Sequence, residues 1–193
     1  MKYPPFSLER MAEAVNAVHE RLTRAACALE SAGVPYAVAG SVAVAAWVAR
    51  VDRAAVRNTQ DIEILLRRED LGSATKALEK VGFVSCQANG DGVFLDGPAA
   101  HPRDSVHVVF AGEMVRSDDL EPAPDVLAGE DDGSYRVLSL DSLLPMKLTA
   151  NKRNDRVDVR DMIDVGLIDA TWLDRLPPEP AARLQHLLDT PDG

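Results

Sequence analysis

The chain has 193 residues, with 21 Lys and Arg against 31 Asp and Glu and a formal net charge of −10. This excess of acids argues against a protein that grips nucleic acid along its phosphates, because that function requires dense Lys and Arg. No apolar run reaches the roughly 18 residues of a membrane span, and the N-terminus lacks the basic-then-apolar pattern of a secretory signal. We therefore expect a cytoplasmic protein, with Cys27 and Cys86 as free thiols.

Apolar periodicity and turn residues predict a mixture of helices and strands. Apolar residues recur every three or four positions from Ser7 to Ala32, which predicts one long amphipathic helix with Ser7 as its N-cap and Gly33 as its stop. The predicted helices cover residues 7–32, 42–50, 69–81, 141–151 and 156–165, with a last one after 177–178. The predicted strands cover residues 35–39, 57–66, 83–87, 92–95, 105–112 and 135–140. This order indicates an α/β (α+β) fold with one mixed sheet of about 4–6 strands covered by helices.

Composition and capping residues predict the remaining boundaries. Residues 121–134 are rich in Pro, Gly and acids, which indicates a surface loop. Asp141 is expected to cap the next helix, and Pro145 to fall in its first turn or just beyond, where a proline is least harmful. We expect residues 1–170 to form the main domain with its N-terminal helix, and residues 171–193 to form a C-terminal helical appendage.

The end of the first predicted strand is suited to binding an anion. Gly40-Ser41 lies where a strand turns directly into a helix. The helix N-terminus offers free N–H groups, a glycine lets a phosphate approach the backbone, and the serine adds a hydroxyl donor. The same two residues also fit an ordinary turn with a capping serine. The sequence leaves both interpretations open.

Two acids stand close together on an otherwise apolar strand. Along this strand Ile62 and Ile64 point to one face, and Asp61 and Glu63 to the other. The Cα atoms of the two acids are expected to lie about 6–7 Å apart, given a rise of roughly 3.3 Å per residue. Carboxylates at that spacing can share one or two Mg²⁺ ions. The alternative is an acidic outward face that blunts the pairing of an edge strand.

These two features together resemble the active-site signature of the nucleotidyltransferases of the DNA polymerase beta superfamily. That signature is Gly-Ser or Gly-Gly, a spacer, and then Asp-x-Asp/Glu with apolar neighbours, which Gly40-Ser41 and residues 57–64 (RNTQDIEI) match. The Arg-x-Thr-x-Asp-x-Glu form is similar to small bacterial members, among them aminoglycoside and lincosamide adenylyltransferases and abortive-infection toxins.

A second segment, residues 139–165, resembles the second signature of the toxin-related branch. It places Lys147 on a helix, followed by Arg153, Asp155 and Asp158. The two aspartates are expected either to orient Arg153 or to cap the following helix, and capping is the preferred interpretation for Asp155. The resemblance extends from about Val38 to Val165, most of the chain.

The resemblance implies Mg²⁺-dependent transfer of a nucleoside monophosphate from a nucleoside triphosphate to a hydroxyl group on an RNA end, a protein or a small molecule. Asp61 and Glu63 would be catalytic and would hold the Mg²⁺. The nucleotide-binding positions that it implies are Gly40, Ser41, Arg57, Thr59, Lys147, Arg153 and Asp158. Such chemistry needs the protein to position groups and to stabilise charge on phosphate oxygens.

The chain departs from the family pattern at the third acid, which usually lies on a neighbouring strand. In SVHVVFAG the matching position is His107, which shares a face with Ser105 and Val109, while Val106, Val108 and Phe110 are expected to face the core. A neutral imidazole suits a general base at pH 7 but is a poor ligand for Mg²⁺. His107 is therefore either a replacement base, a mark of lost activity, or a half-exposed strand histidine.

The same departure defines the alternative function. A chain that has lost catalysis would be a nucleotidyltransferase-fold protein acting as a nucleotide-binding or protein-interaction module. The resemblance to toxin branches implies a cognate antitoxin or a second copy of the chain as a partner, and the sequence does not choose among the acceptors.

Overall fold

A seven-stranded mixed sheet organises the computed structural model, which describes residues 8–88, 91–101 and 103–190. The strands are β1 (Ala37–Ala39), β2 (Ile62–Leu66), β3 (Val84–Ala88), β4 (Asp91–Leu95), β5 (Ser105–Phe110), β6 (Gly129–Asp131) and β7 (Arg136–Leu138). They lie in the order β3-β4-β5-β2-β1-β7-β6. The predicted fold class is confirmed, and the sheet has more strands than the sequence indicated.

Six α-helices accompany the sheet in this part of the chain. They are α1 (Leu8–Ser31), α2 (Gly40–Val51), α3 (Leu71–Lys80), α4 (Leu140–Ala150), α5 (Arg153–Asp164) and α6 (Pro178–Asp189). The predicted stop of α1 is confirmed: Gly33 has φ +64°, and the next residue, Val34, donates its N–H to the carbonyl of Leu29 at 2.9 Å. The predicted N-cap, Ser7, lies outside the described residues. None of the described helices is both long enough and apolar enough to cross a membrane.

Strand β2 lies in the middle of the sheet and carries the residue on which the site is built. It pairs antiparallel with β1 and parallel with β5, so that Glu63 lies between Ala39 and His107. The other four residues of β2 are almost fully buried, whereas Glu63 is only partly buried. Helices and loops therefore cover both faces of the sheet at these four residues, and they leave Glu63 partly open to solvent.

The predicted faces of β5 are only partly correct. His107 is exposed as expected, but Ser105 and Val109, which share its face, are both buried, and Val108 on the opposite face is partly exposed. Burial does not alternate along this strand because both of its ends are covered on both faces. His107 lies directly beside Glu63, where this face of the sheet is open to solvent.

A short strand lies in the segment that the sequence predicts to be a loop. Residues 129–131 form β6, which pairs antiparallel with β7 at the edge of the sheet and follows a 3-10 turn at residues 126–128. Two of the three residues of β6 are exposed. Such a short, exposed edge strand has the polar composition of a loop, which is why the sequence did not predict it.

The boundaries of α4 and α5 also differ from the predictions. Ser139 is the N-cap of α4, and Asp141 lies in its first turn, where its carboxylate pairs with Arg175. Pro145 lies inside α4, beyond the first turn. The next helix, α5, begins three residues earlier than predicted, because Asp155 caps it: its Oδ2 accepts the N–H of Lys152 at 3.0 Å.

The last helix packs against α4. Leu184 of α6 is fully buried in the main hydrophobic core, and Arg183 donates to the carbonyls of Leu148 and Thr149 at 2.7 and 2.8 Å. These carbonyls belong to the last turn of α4, which has no backbone donors of its own for them. The α6 helix therefore helps to hold the helix that carries Lys147.

Candidate active site

The carboxylate of Glu63 lies against the first residue of α2. Gly40 has φ +66°, and a Cβ added to it would come within 2.5 Å of Glu63 Oε2. Both the left-handed backbone and the close approach require glycine. The free N–H groups and the positive end of the helix dipole are at this end of α2, which is the part of a helix that attracts anions.

The next residue, Ser41, reaches α5 rather than capping its own helix. Its Oγ donates a hydrogen bond to Asp158 Oδ2 at 2.7 Å, across 117 positions of the sequence. The N-cap of α2 is Ala39, which makes no side-chain capping bond. The interpretation of Ser41 as an ordinary capping serine is therefore wrong, because its hydroxyl is engaged elsewhere.

Lys147 lies buried between two carboxylates of α5. Its Nζ is 2.7 Å from Asp158 Oδ2 and 3.0 Å from Asp155 Oδ1, and the residue is only 7% exposed. Burial alone would lower the pKa of Lys147, but the charges of Asp158 and Asp155, with a smaller contribution from Glu63, outweigh it and raise the pKa. Lys147 is therefore a fixed cation on the wall of the site.

Arg57 closes the same cluster from the loop before β2. Its guanidinium pairs with Asp158 and, through Nε, with Asp161 Oδ2 at 2.9 Å. Asp158 is fully buried and accepts hydrogen bonds or ion pairs from Ser41, Lys147 and Arg57. We call the six residues Ser41, Arg57, Lys147, Asp155, Asp158 and Asp161 the Asp158 cluster.

A cavity of about 300 Å³ opens in front of Lys147. Glu63, Lys147 and Asp155 lie on its wall, and residues 121–124 border it. A second cavity, of about 440 Å³, also contains Glu63 and extends along the sheet to His107 and Phe110. The two cavities share Glu63, Val109 and Val115, so they form two lobes of one groove, which we call the Glu63 groove.

His107 lies in the second lobe. It is the partner of Glu63 in the parallel pairing of β2 and β5, so the two side chains lie side by side on one face of the sheet. Its Nε2 is 2.9 Å from Ser105 Oγ. This hydrogen bond orients the imidazole of an otherwise exposed side chain.

The structure brings together most of the residues that the sequence singled out, but not all of them. Gly40, Glu63 and His107 are neighbours across β1, β2 and β5, and Ser41, Arg57, Lys147 and Asp158 meet in the Asp158 cluster. Asp61 is exposed just before β2, and in the described part of the chain it lines neither lobe.

Two further predicted residues lie apart from the groove. Thr59 lines a different cavity, together with Arg57. Arg153 is exposed at the start of α5, and among the described residues its side chain pairs with neither Asp155 nor Asp158. The expectation that Asp158 orients Arg153 is therefore wrong, because Arg57 and Lys147 occupy that carboxylate.

Sequence reasoning missed Asp161. It lies three residues after Asp158 on α5 and binds the same arginine, Arg57. The spacing i, i+3 places both aspartates on one face of a helix, and it is the signal that would have found the second one.

No model of a protein family and no curated protein matches the sequence. Among solved structures, ANT(2'')-Ia in complex with adenylyl-2''-tobramycin is similar, with a TM-score of 0.51 and 16% identity, over 89% of this chain and 97% of that chain. JHP933 from Helicobacter pylori is similar with a TM-score of 0.52 and 14% identity, over 93% of this chain and 76% of that chain. The chain therefore shares the fold of these two proteins, in agreement with the family resemblance carried by Gly40-Ser41 and residues 57–64.

Proposed function

We propose that the protein is a Mg²⁺-dependent nucleotidyltransferase that moves a nucleoside monophosphate from a nucleoside triphosphate to a hydroxyl group. The observation that carries this proposal is Lys147, a buried cation held between Asp155 and Asp158 on the wall of a cavity that also contains Glu63. Burying a lysine costs desolvation free energy, and buried ionisable groups with a shifted pKa concentrate at functional sites.

The donor set suits Mg²⁺ bound together with a triphosphate. Mg²⁺ in nucleotide enzymes is held by one or two carboxylates, with phosphate oxygens and water filling the remaining positions. Glu63 offers one carboxylate inside the groove, and Asp61, two residues earlier in the sequence, offers a second just before β2. Among the described residues no group of three or more His, Cys, Asp or Glu side chains is placed to hold a metal ion, so phosphate oxygens and water would have to supply most of the ligands. When bound, Mg²⁺ would neutralise charge on the phosphate oxygens.

The residues of the chain then have separable tasks. The N-terminus of α2 at Gly40 offers N–H groups to phosphate oxygens. Lys147 offsets the negative charge that develops as pyrophosphate leaves. The acceptor oxygen forms a bond to the α-phosphorus while the bond from that phosphorus to the pyrophosphate oxygen breaks. His107, beside Glu63, takes the proton of the acceptor hydroxyl.

The Asp158 cluster positions these groups. Asp158 ties Ser41 at the start of α2 to Lys147 on α4, and Arg57 ties the loop before β2 to α5. The start of α2, the loop before β2, and the helices α4 and α5 are thereby held at one site. Asp158 and Arg57 act as positioning residues, because among the described residues they line neither lobe of the Glu63 groove, whereas Lys147 does.

The acceptor that the groove suits best is a small, cationic, hydroxyl-bearing molecule. The lobe in front of Lys147 is bordered by the carboxylates of Asp119 and Glu121, and the whole chain carries a formal net charge of −10. Such a field attracts cations and repels the phosphates of RNA. ANT(2'')-Ia, which has a similar fold, is known in complex with the adenylylated form of tobramycin.

The experiment is a transfer assay with the full chain. Purified protein, each of the four nucleoside triphosphates with Mg²⁺, and a panel of aminated polyols, oligoribonucleotides and proteins are incubated, and released pyrophosphate and the acceptor masses are measured. We expect a gain of one nucleotide mass on an aminated polyol, dependent on Mg²⁺ and absent with Glu63→Gln. Nucleotide binding without transfer to any member of the panel would instead favour a degenerate binding module.

A further inference from the structure

A second groove lies away from the Glu63 groove, between α1, α2 and the loop before β2. Its volume is about 440 Å³. Four segments border it: residues 15–22 of α1, residues 42–50 of α2, residues 53–59 of the loop, and Asp132 and Tyr135 between β6 and β7. We call it the α1–α2 groove, and within the described residues it shares no lining side chain with either lobe of the Glu63 groove.

The wall of the α1–α2 groove is apolar. Val18, Val42 and Val56 contribute branched side chains to it, and the alanines at positions 45, 46 and 49 leave the space between the helices open. Val15, also on the wall, is 40% exposed. A cavity of this size and composition suits a small apolar ligand, whereas a docked helix needs a longer surface.

The rim of the groove is basic, in a chain that is strongly acidic. Arg50, Arg53 and Arg57 border the cavity, and the only carboxylate among its described lining residues is Asp132. Arg50 already pairs with Asp132 at 2.6 Å. Arg53 is exposed, and no hydrogen bond or ion pair of its side chain occurs within the described part of the chain. The uncompensated charge on the rim is therefore positive.

Arg57 connects this groove to the Asp158 cluster. Its side chain is 40% exposed on the side of the groove, while its guanidinium pairs with the buried Asp158 and with Asp161. Arg53 and Arg57 both line the groove, so an anionic group bound there can reach either guanidinium.

We propose that the α1–α2 groove binds a small amphipathic anion, with its alkyl or aryl part against the valines and its carboxylate at Arg53 and Arg57. The apolar wall alone would accept any hydrophobic molecule, and the arginines alone would accept any anion. The two together select molecules that carry both groups. Neither Glu63 nor Lys147 contributes to this site, and Arg57 is the one described residue that it shares with the Asp158 cluster.

The test uses octanoate as the probe and the full chain without nucleotide. Octanoate is titrated into isotopically labelled protein, and the amide signals of residues 15–22 and 42–59 are followed together with the side-chain Nε–H signal of Arg57. We expect saturable shifts confined to these segments and to Arg57. Arg53→Ala should weaken the affinity about five- to tenfold, because it removes a charge-assisted contact without disturbing a pair in the fold.

Matched probes and variants decide between this proposal and simpler explanations. Octylammonium keeps the apolar chain and acetate keeps the carboxylate, so equal binding of either one would overturn the proposal. Lys76→Ala removes an exposed cation from α3 and should leave octanoate binding unchanged. Ala49→Leu should fill the groove and reduce binding, with circular dichroism confirming the fold. The absence of saturable shifts in the wild-type chain would also overturn the proposal.

Discussion

Glu63 Oε2 lies so close to Gly40 that a Cβ added to this glycine would be only 2.5 Å from the oxygen. This contact joins the Gly-Ser signature to the Asp-x-Glu signature in space. The two signatures are 20 positions apart in the sequence, and the antiparallel pairing of Ala39 with Glu63 brings them together. The close approach places a carboxylate at the N-terminus of α2.

Replacing Gly40 by alanine tests this contact, and Gly33 provides a matched control. Both glycines have nearly the same positive φ, +66° and +64°, but an added Cβ at Gly33 meets nothing within 4 Å. Gly33→Ala should cost only the backbone strain, about 1 kcal/mol. Gly40→Ala should cost at least about 1 kcal/mol more, because Glu63 must also move. Equal losses in the free energy of unfolding, measured by urea denaturation, would mean that the contact with Glu63 is unimportant.

Replacing Lys147 tests whether the Asp158 cluster is an integral part of the fold. Lys147→Met leaves Asp155 and Asp158 buried without their shared cation, which should destabilise the protein by about 3–5 kcal/mol. Adding Asp155→Asn to Lys147→Met removes the carboxylate that loses its cation, whereas Asp158 keeps its pair with Arg57, so the double variant should be more stable than the single one. Urea denaturation of the three proteins measures the coupling. A double variant less stable than Lys147→Met would contradict a direct charge pairing.

The raised pKa of Lys147 gives a direction for the effect of pH. Because the folded pKa lies above the ordinary value of 10.5, the contribution of Lys147 to stability is fully present below that pH and is lost as pH rises through the folded pKa. The unfolded chain releases this proton first, so the free energy of unfolding should fall in alkaline solution. Denaturation between pH 7 and pH 11 should show a steeper loss for the wild type than for Lys147→Met. Parallel curves would show that Lys147 is not paired in this way.

His107 tests the proposed proton transfer. His107→Ala should lower the rate of transfer about 10²–10⁴-fold, the usual range for loss of a general base, while the affinity for the nucleotide stays unchanged. Ser105→Ala keeps the imidazole and removes the hydrogen bond to Nε2, so its effect on transfer should be smaller. Single-turnover kinetics separate binding from chemistry. A full transfer rate in His107→Ala would remove this residue from the mechanism.

The acidic border of the groove tests the choice of acceptor. Asp119→Asn combined with Glu121→Gln should raise the KM for a cationic acceptor several-fold and leave kcat nearly unchanged, because both carboxylates act through attraction. Asp118 provides the control: it is exposed, it lies beside Asp119, and it does not belong to the described lining of the groove. Asp118→Asn should leave KM unchanged. Equal effects of the two changes would indicate general charge rather than a local site.

The sequence predicted the local parts of the site better than its assembly. Gly40 at a strand–helix turn and Glu63 on a buried strand follow from patterns within a few residues, and both were found correctly. The hydrogen bond between Ser41 and Asp158 joins residues 117 positions apart, and no local pattern reports such a pairing. Resemblance to a family selected both Asp158 and Arg57, but it did not indicate that the two form a pair.

The elements that sequence reasoning missed share a physical cause. The β6 strand is short, exposed and polar, so its only distinguishing feature is its pairing with β7. The burial pattern of β5 fails to alternate because elements distant in sequence cover both of its ends. The spacing of apolar residues predicts which face of a helix or strand is buried. It does not predict where that face stays open to solvent, because the residues that cover it come from distant parts of the chain.

Calorimetric titration of the four nucleoside triphosphates, with and without Mg²⁺, tests the central claim most directly. We expect one of them to bind only when Mg²⁺ is present, and this binding to vanish in the variant that combines Asp61→Asn with Glu63→Gln. The thermal midpoint of that variant should equal or slightly exceed that of the wild type, since repulsion between the two carboxylates is relieved. Binding that is equal without Mg²⁺, or that survives in the double variant, would contradict the claim that Asp61 and Glu63 hold a metal–triphosphate.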